Sequence, residues 1–485
     1  MMKKTHNYRL RALALCLLLA ALIPFAASCK KEPEPVPSTD TTEGGLYTAD
    51  YLPGLDCNGY EFRIVDIDNH PQTIEGEPVT IVDNAIYKRN EVVKARYNID
   101  IKANTYELEY WWKIPDPVAQ LANAESADYD LITHAFMYAY ADIINGNMVA
   151  ACDLPKEYVD MSRPWHKQSI NEGLTVDGVA IMDCTAFDIQ PGGDCVFFNK
   201  DLVAELNLED PYALVDAGTW TYDAMWQMAR AAASEDYDRE SDWSEDDRYG
   251  FFANWHEIMN LSFAGTGHKI INIENGMPTL NKTEGFVNVL ISASEALSPD
   301  GMVFDIYEAW GMLEASKTKA TQMFINGQCM FVIKETDKLM LLGDMEDDYG
   351  ILPYPKLNAE QERYYVPISG FVAQPLSCHP NLNAVCIIKE ALAVETLNYY
   401  DPAYYENTIQ NRYLRSEDDL KYLKLITDSA TSDLGLQIWW SELRNPLAED
   451  VLAKHSTSFA STLESITPKA QVLVDTLMEF VNSKK

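Results

Sequence analysis

The sequence predicts an α/β protein of two lobes, each a mostly parallel sheet flanked by helices, with strands that cross from one lobe to the other. Three observations predict it. Short apolar runs alternate with segments of helical period along most of the 485 residues, the pattern of a doubly wound sheet. A body this long exceeds what one hydrophobic core organises, so two lobes are expected. Finally, in residues 176–206 a strand (179–182) leads into an irregular polar passage (183–194), then a second strand (195–198) and a helix opening at Asn199-Lys200-Asp201-Leu202.

Taken in order, residues 60–67 (YEFRIVDI) alternate and read as the opening strand. Residues 84–97 (NAIYKRNEVVKARY) carry apolar side chains at helical spacing, and residues 98–101 follow as a strand. A second helix around residues 111–124 precedes an acidic turn into a buried strand at 128–132 (DYDLI). His134, Phe136 and Tyr138 come next, beyond the carboxyl end of that strand, where open α/β sheets hold their ligands. After the polar passage, residues 218–223 (GTWTYD) open a helix running to about Ala233, with Thr219 or Thr221 as its N-cap. Residues 234–248 are a charge run. Asp236, Asp238, Glu240 and Asp242 are spaced like the start of a calcium loop, but Ser241 and Asp247 stand where that loop needs Gly and Glu, so a solvated loop is the reading. Residues 323–333 (MFINGQCMFVI) read as a helix end, a Gly turn and a buried strand, and 350–355 (GILPYP) as a further strand. Residues 365–376 form a second passage and 381–394 the helix of the returning lobe. The region from about Ser432 is helical, with Trp439 and Trp440 near its start.

These runs resemble those of the family 1 extracellular solute-binding proteins, the receptors of ATP-binding-cassette importers, typically for sugars and oligosaccharides. The resemblance rests on residues 130–154, on Phe198-Asn-Lys-Asp-Leu202 (with Phe198 for the family's Tyr), on Thr219-Trp220, and on residues 323–333, 350–355 and 365–376. They stand in the family's order over most of the chain. It implies a periplasmic-binding-protein-like fold of type II, with one lobe from residues 58–186 and 372–432 and the other from 187–371 and 433–485. It also implies a cleft between them. By position, the ligand-binding candidates are His134, Phe136 and Tyr138 in the first lobe, and Phe187, Asp188 and Gln190 at the first crossing. Trp255 and Glu335 follow in the second lobe, Ser369 and Phe371 at the return crossing, and Trp439 and Trp440 in the C-terminal helices. Sugars present flat C–H faces and a rim of hydroxyls, so aromatic platforms beside Asp, Glu, Gln or His suit them. Core packing is the other reading of each aromatic and of His134, whereas Asp188, polar in a crossing loop, is the first choice among the polar candidates.

The N-terminus reads as an export signal in residues 1–28: Lys3, Lys4, Arg9 and Arg11, an apolar stretch at 12–25, then small residues before Cys29. Ala27-Ser28-Cys29 resembles a bacterial lipobox, which implies that Cys29 becomes a lipidated N-terminus on the outer side of the cell membrane. Residues 29–57 are expected as a flexible tether, the Pro- and acid-rich part being 30–45 (KKEPEPVPSTDTTEGG). The formal charge is −36, and no basic patch follows the leader, so nucleic acid is not an expected partner. Beyond Cys16 and Cys29, seven cysteines sit mostly in apolar patterns without metal-ligand spacing. They read as buried free thiols, with one bridge as the alternative.

Catalytic constellations are missing. His256-Glu257-Ile-Met-Asn260 lacks the second histidine of HExxH, and there is no GxSxG elbow or GxxxxGK loop. The expected role is therefore capture of a small solute without catalysis, cofactor or metal, by a monomer that meets the membrane only through its anchor and delivers to an importer permease. Two alternatives stay open: a surface lipoprotein that degrades or adheres to glycans, and the same fold holding a peptide or polyamine.

Overall fold

The computed structural model describes residues 46–66, 72–74, 76–105, 117–124, 128–188, 191–234, 246–297, 303–311, 314–343, 345–368, 370–410, 414–415 and 419–485. The expected export signal, Cys29, the acidic charge run at 235–245, Gln190 and Ser369 lie outside these residues.

The first sheet opens with β1 (Tyr60–Asp66). Helix α1 (Ile81–Tyr97) follows, started by a capping box in which Thr80 and Asp83 satisfy each other's backbone N–H groups and ended by Asn98 in the left-handed region. Strand β2 (Ile99–Thr105) returns parallel to β1, Tyr60 opposite Ile99. Strand β3 (Leu131–Ala135), buried along its whole length, pairs parallel to β1 on the other side and runs into α2 (Phe136–Ile144). Helix α3 (Gln168–Gly173) precedes the first crossing.

The crossing leads to β4 (Asp194–Asn199), whose last residue caps the helix that follows by accepting the Leu202 N–H. Strand β5 (Tyr249–Ala253) ends against α4 (Trp255–Asn260), which begins with a second capping box, Asn254 with Glu257. Strand β6 (Val303–Asp305) feeds α5 (Ile306–Trp310), and β7 (Cys329–Glu335) and β8 (Tyr349–Leu352) complete the set. The order is β6-β5-β7-β4-β8. Parallel pairs join β6, β5 and β7, while β4 runs antiparallel to both β7 and β8. Their runs of Phe, Val and Ile are apolar on both faces because helices cover both.

The chain then returns through β9 (Val366–Pro367) to β10 (Phe371–Gln374), which joins the first sheet antiparallel to β3, giving the order β10-β3-β1-β2. Helix α6 (Leu382–Glu395) packs on α1. Helix α7 (Leu420–Asp428) lies against β8, with Tyr422 stacked on Tyr212 at 3.7 Å. A third passage, β11 (Ala430–Thr431), pairs parallel with β9 and leads through π-turns to the C-terminal helix α8 (Phe459–Ser483).

Two expectations change. Residues 179–182 do not join a large sheet: Val179–Ala180 pairs only with Thr175–Val176 around Asp177-Gly178, both at positive φ, as a two-residue hairpin demands. The tether also ends earlier than Cys57. Ala49, Tyr51, Leu52 and Cys57 are buried in the first lobe's core, and Tyr51 stacks on Trp165 at 6.3 Å. Residues 30–45 hold one apolar side chain, Val36, and among the described residues packing against the core is seen from Tyr47 onward. The seven cysteines among the described residues are free, five of them buried. Among the described residues no helix is long and apolar enough to cross a membrane.

Candidate functional site

The carboxyl ends of β5, β6 and β7 and the amino end of antiparallel β4 share one edge of the second sheet, and that edge gathers polar side chains. Asp194 and Glu335 are register partners across β4 and β7. The Tyr354 hydroxyl reaches Asp194 Oδ2 at 3.5 Å. Burial, then Glu335 and Glu257, hold the Asp194 carboxyl far above the usual carboxylate range, so it keeps its proton where an exposed Asp would not. Glu257 is raised too, again by burial, against the pull of Lys334. At the end of β6, Asp305 Oδ1 accepts the Tyr307 and Glu308 N–H groups, while its buried Oδ2 meets no hydrogen-bond partner. Burial pushes its pKa up to about 6.

Aromatic rings stand beside these groups. The Trp255 ring lies 3.8 Å from His256 and edge-on to Tyr307 at 6.0 Å. Trp439 meets Tyr140 of α2 edge-on at 6.0 Å, which ties the C-terminal segment to the first lobe. The Arg444 guanidinium lies over the Trp440 ring at 5.4 Å. Residues 439–444 thus stand between α2 of one lobe and α4 and α5 of the other.

Of the expected site residues, Trp255, Glu335, Trp439 and Trp440 gather on this side, with Trp255 and Trp439 almost wholly buried and Trp440 half-exposed. Tyr138 is half-buried beside His134, ring centroids 5.2 Å apart. Phe371 opens β10 opposite Ala135 and keeps partial exposure. Three others are corrected. Phe136 is core: its ring occupies the space a Cβ would need at Gly370. Phe187 is buried under the Arg89 guanidinium, 5.0 Å away. Asp188 is a clamp. Its Oδ2 accepts the Thr185 N–H and hydroxyl, its Oδ1 accepts the Ala373 N–H, and Lys389 stands 3.5 Å off. A polar residue in a crossing loop here ties the crossing to β10 instead of facing a guest. His134 is buried 3.7 Å from Asp142. Sequence reasoning missed Asp194, Asp305, His256, Tyr307 and Arg444. The only local signal was position at or just past a strand end, and it held for Asp194, Asp305, His256 and Tyr307 but not for Arg444.

A second charged cluster lies within the first lobe. His166 Nδ1 meets Asp183 at 2.8 Å and its Nε2 lies 3.1 Å from Glu390, all three buried. Glu390 Oε2 also accepts the Trp165 N–H and the Tyr51 hydroxyl. Burial opposes a charge on His166, but Asp183 and Glu390 outweigh it and raise its pKa to about 10. The three side chains carry metal-type donor atoms, yet an imidazolium between two carboxylates accounts for them with a proton on each nitrogen.

Away from the sheet edge, a cavity of about 130 Å³ opens between α3, the second and third passages and the turn after α4, lined by His268, Lys269, Arg363, Tyr365 and Asp433 among others. Asp433 is already spent on the Ile270, Ile271 and Gly435 N–H groups. None of the expected site residues lines this cavity.

No protein-family model matches the chain, and no curated protein matches it. Solved structures do. A cyclo/maltodextrin-binding protein complexed with maltotetraose aligns with 84% of this chain and 97% of its own at TM-score 0.55 and 13% identity. An ABC substrate-binding protein from Listeria monocytogenes in complex with cycloalternan aligns with 87% of this chain and 99% of its own at TM-score 0.52 and 12% identity. A sugar transporter from Rhizobium etli in an open conformation aligns with 84% and 98% at TM-score 0.56 and 13% identity. The chain has the two-lobed fold of these substrate-binding transport proteins.

Proposed function

We propose that the chain is an extracytoplasmic solute-binding lipoprotein that captures a carbohydrate between its lobes and delivers it to an ABC importer permease. The observation that carries this reading is the sheet edge between the lobes, where aromatic rings (Trp255, Tyr307, Trp440) stand beside polar groups drawn from four separate strands and helices. Rings of this kind cover sugar C–H faces, and the acids and Arg444 answer hydroxyls. Tyr138 and Phe371 contribute from the first lobe and Glu335 from the second, with Gln190 and Ser369 at the crossings. A solute touching both lobes favours the closed arrangement by its differential affinity for it, with β9, β11 and the first crossing as the hinge. Cys29 carries the lipid, and residues 30–45 the reach to the permease. The sugars held by the similar structures support a saccharide as the solute.

The test is a tryptophan-fluorescence and thermal-shift titration of the purified protein with mono- and oligosaccharides, peptides and polyamines. At least one saccharide raises Tm saturably, and Trp440→Ala weakens it about tenfold while leaving Tm of the free protein nearly unchanged. Saturable binding of only a peptide or polyamine, or product formation from a glycan, sinks the reading.

A further inference from the structure

We infer that the solute carries an oxyanion, a carboxylate or a sulfate on a saccharide, and that Arg444 receives it. The inference rests on the solute-binding reading above and narrows its substrate class.

The starting point is an imbalance. The chain has 74 acidic and 38 basic side chains, so an arginine beside the lobe junction has carboxylates in abundance to choose from. Arg444 takes none: among the described residues it forms no ion pair, its sole hydrogen bond is a 3.4 Å contact from a terminal nitrogen to Asn445 Oδ1, and its Nε is buried with no partner. Burial lowers its pKa to about 10, against the weaker opposing pull of Glu449 and Tyr307. Arg444 as a whole keeps partial exposure, so the cost falls on its buried Nε, a donor that a folded protein normally supplies with an acceptor. The neighbouring His256 is neutral, held down to about 2 by burial and then by Arg444, and its Nδ1 is likewise buried without a hydrogen bond.

Position turns the imbalance into a site. His256 is the second residue of α4, just past the carboxyl end of β5, and lies 6.5 Å from Tyr307, just past the end of β6. Arg444 is in electrostatic reach of both, and its guanidinium carbon lies over the Trp440 ring. Trp439 in the same segment touches Tyr140 of the first lobe. The fork therefore lies near two strand ends of the second sheet, over the Trp440 ring and short of acceptors. A planar guanidinium so held matches a carboxylate or sulfate in two parallel hydrogen bonds, which a neutral hydroxyl cannot return.

The experiment titrates the purified protein with a galacturonate oligosaccharide, its methyl ester, a sulfated galactose oligosaccharide and a neutral malto-oligosaccharide, with isothermal calorimetry as the readout. The inference expects the acid or the sulfated sugar to bind and the ester and neutral sugars to bind far more weakly, and the arm that binds identifies the oxyanion. Arg444→Gln then weakens the acidic ligand about 30-fold or more, while Arg444→Lys keeps part of the affinity with a steeper salt dependence. Circular dichroism checks that both variants fold. If Arg444→Gln does not, Arg444→Lys decides by the same salt dependence. Neutral sugars binding as tightly as their acidic counterparts, or Arg444→Gln weakening both alike, overturns the oxyanion while leaving the solute-binding reading in place. Binding of no saccharide overturns both.

Discussion

Two of the places where the molecule gathers charged side chains treat them differently. Around His166 every charge is answered: the imidazolium has Asp183 and Glu390, Glu390 has Trp165 and Tyr51 besides, and Lys389 has Asp188. Along the second sheet's edge, Asp194 faces Glu335, Asp305 has an oxygen with no partner, and Arg444 forms no ion pair among the described residues. The first cluster is wholly enclosed, whereas in the second Asp194 and Arg444 are only partly covered and Glu335 is exposed. Only the first recovers its desolvation cost internally, and it belongs to the architecture. The second leaves the Asp305 Oδ2 and the Arg444 Nε without partners, and a guest that supplied them would bind with net gain.

The largest expected effect breaks the closed cluster. Glu390→Ala leaves the His166 cation with Asp183 alone and strands the Trp165 N–H and the Tyr51 hydroxyl, all buried together. It should lower unfolding free energy by about 3–5 kcal/mol, measured by urea unfolding at pH 7. A loss under about 1 kcal/mol would mean that the cluster relaxes into a solvated arrangement and that the two clusters do not differ in kind.

How much of this contrast the sequence carried depends on distance along the chain. Helix α1, the strands around it and the Asn199 cap were legible because period, cap and turn act within a few residues. Thr221, one of the two expected caps, does accept the Ala224 N–H. The partnering of Asp188 was not legible. Its clamp on the Ala373 N–H spans 185 positions, and nothing local distinguishes a polar crossing residue held by β10 from one that faces a solute. Arg444 was hidden for the converse reason: having no partner is a property of the assembled fold. Trp255 and Trp439 were found by their place in the chain, but the depth of their burial follows from how lobes and helices meet.

An intermediate effect comes from pH, where the two clusters share a slope and part in sign. His166 has a folded-state pKa of about 10 against 6.5 for an unperturbed histidine, so its stabilisation is fully present below pH 6.5 and drains away as pH rises toward 10. Asp194 is also raised in the folded state, here because its charged form is disfavoured, so it too removes stability as pH climbs above 3.8. Removing each group separates the causes. His166→Gln loses stability through pH 6–8, whereas Asp194→Asn gains on the order of 1 kcal/mol at pH 8 relative to pH 5 and flattens the slope. Urea unfolding at four pH values between 5 and 8 reads both. An Asp194→Asn variant destabilised at pH 8 would place a needed negative charge at the sheet edge.

The smallest effect sharpens the comparison most, because it asks whether the open cluster is electrostatically connected at all. Glu335 is exposed, with 57% of its side-chain surface accessible, so Glu335→Gln should move unfolding free energy by no more than about 0.5 kcal/mol. Its register position opposite Asp194 nevertheless makes it the largest single charge acting on that carboxyl, second only to burial. Glu335→Gln should therefore move the Asp194 titration midpoint downward, read from the carboxyl carbon by NMR, while the His166 ring shifts stay fixed. Through linkage the same shift should appear as a small rise in unfolding free energy at pH values above the Asp194 midpoint and not below it. An unmoved midpoint would leave burial alone as the cause, and the two carboxylates would then act on a solute independently.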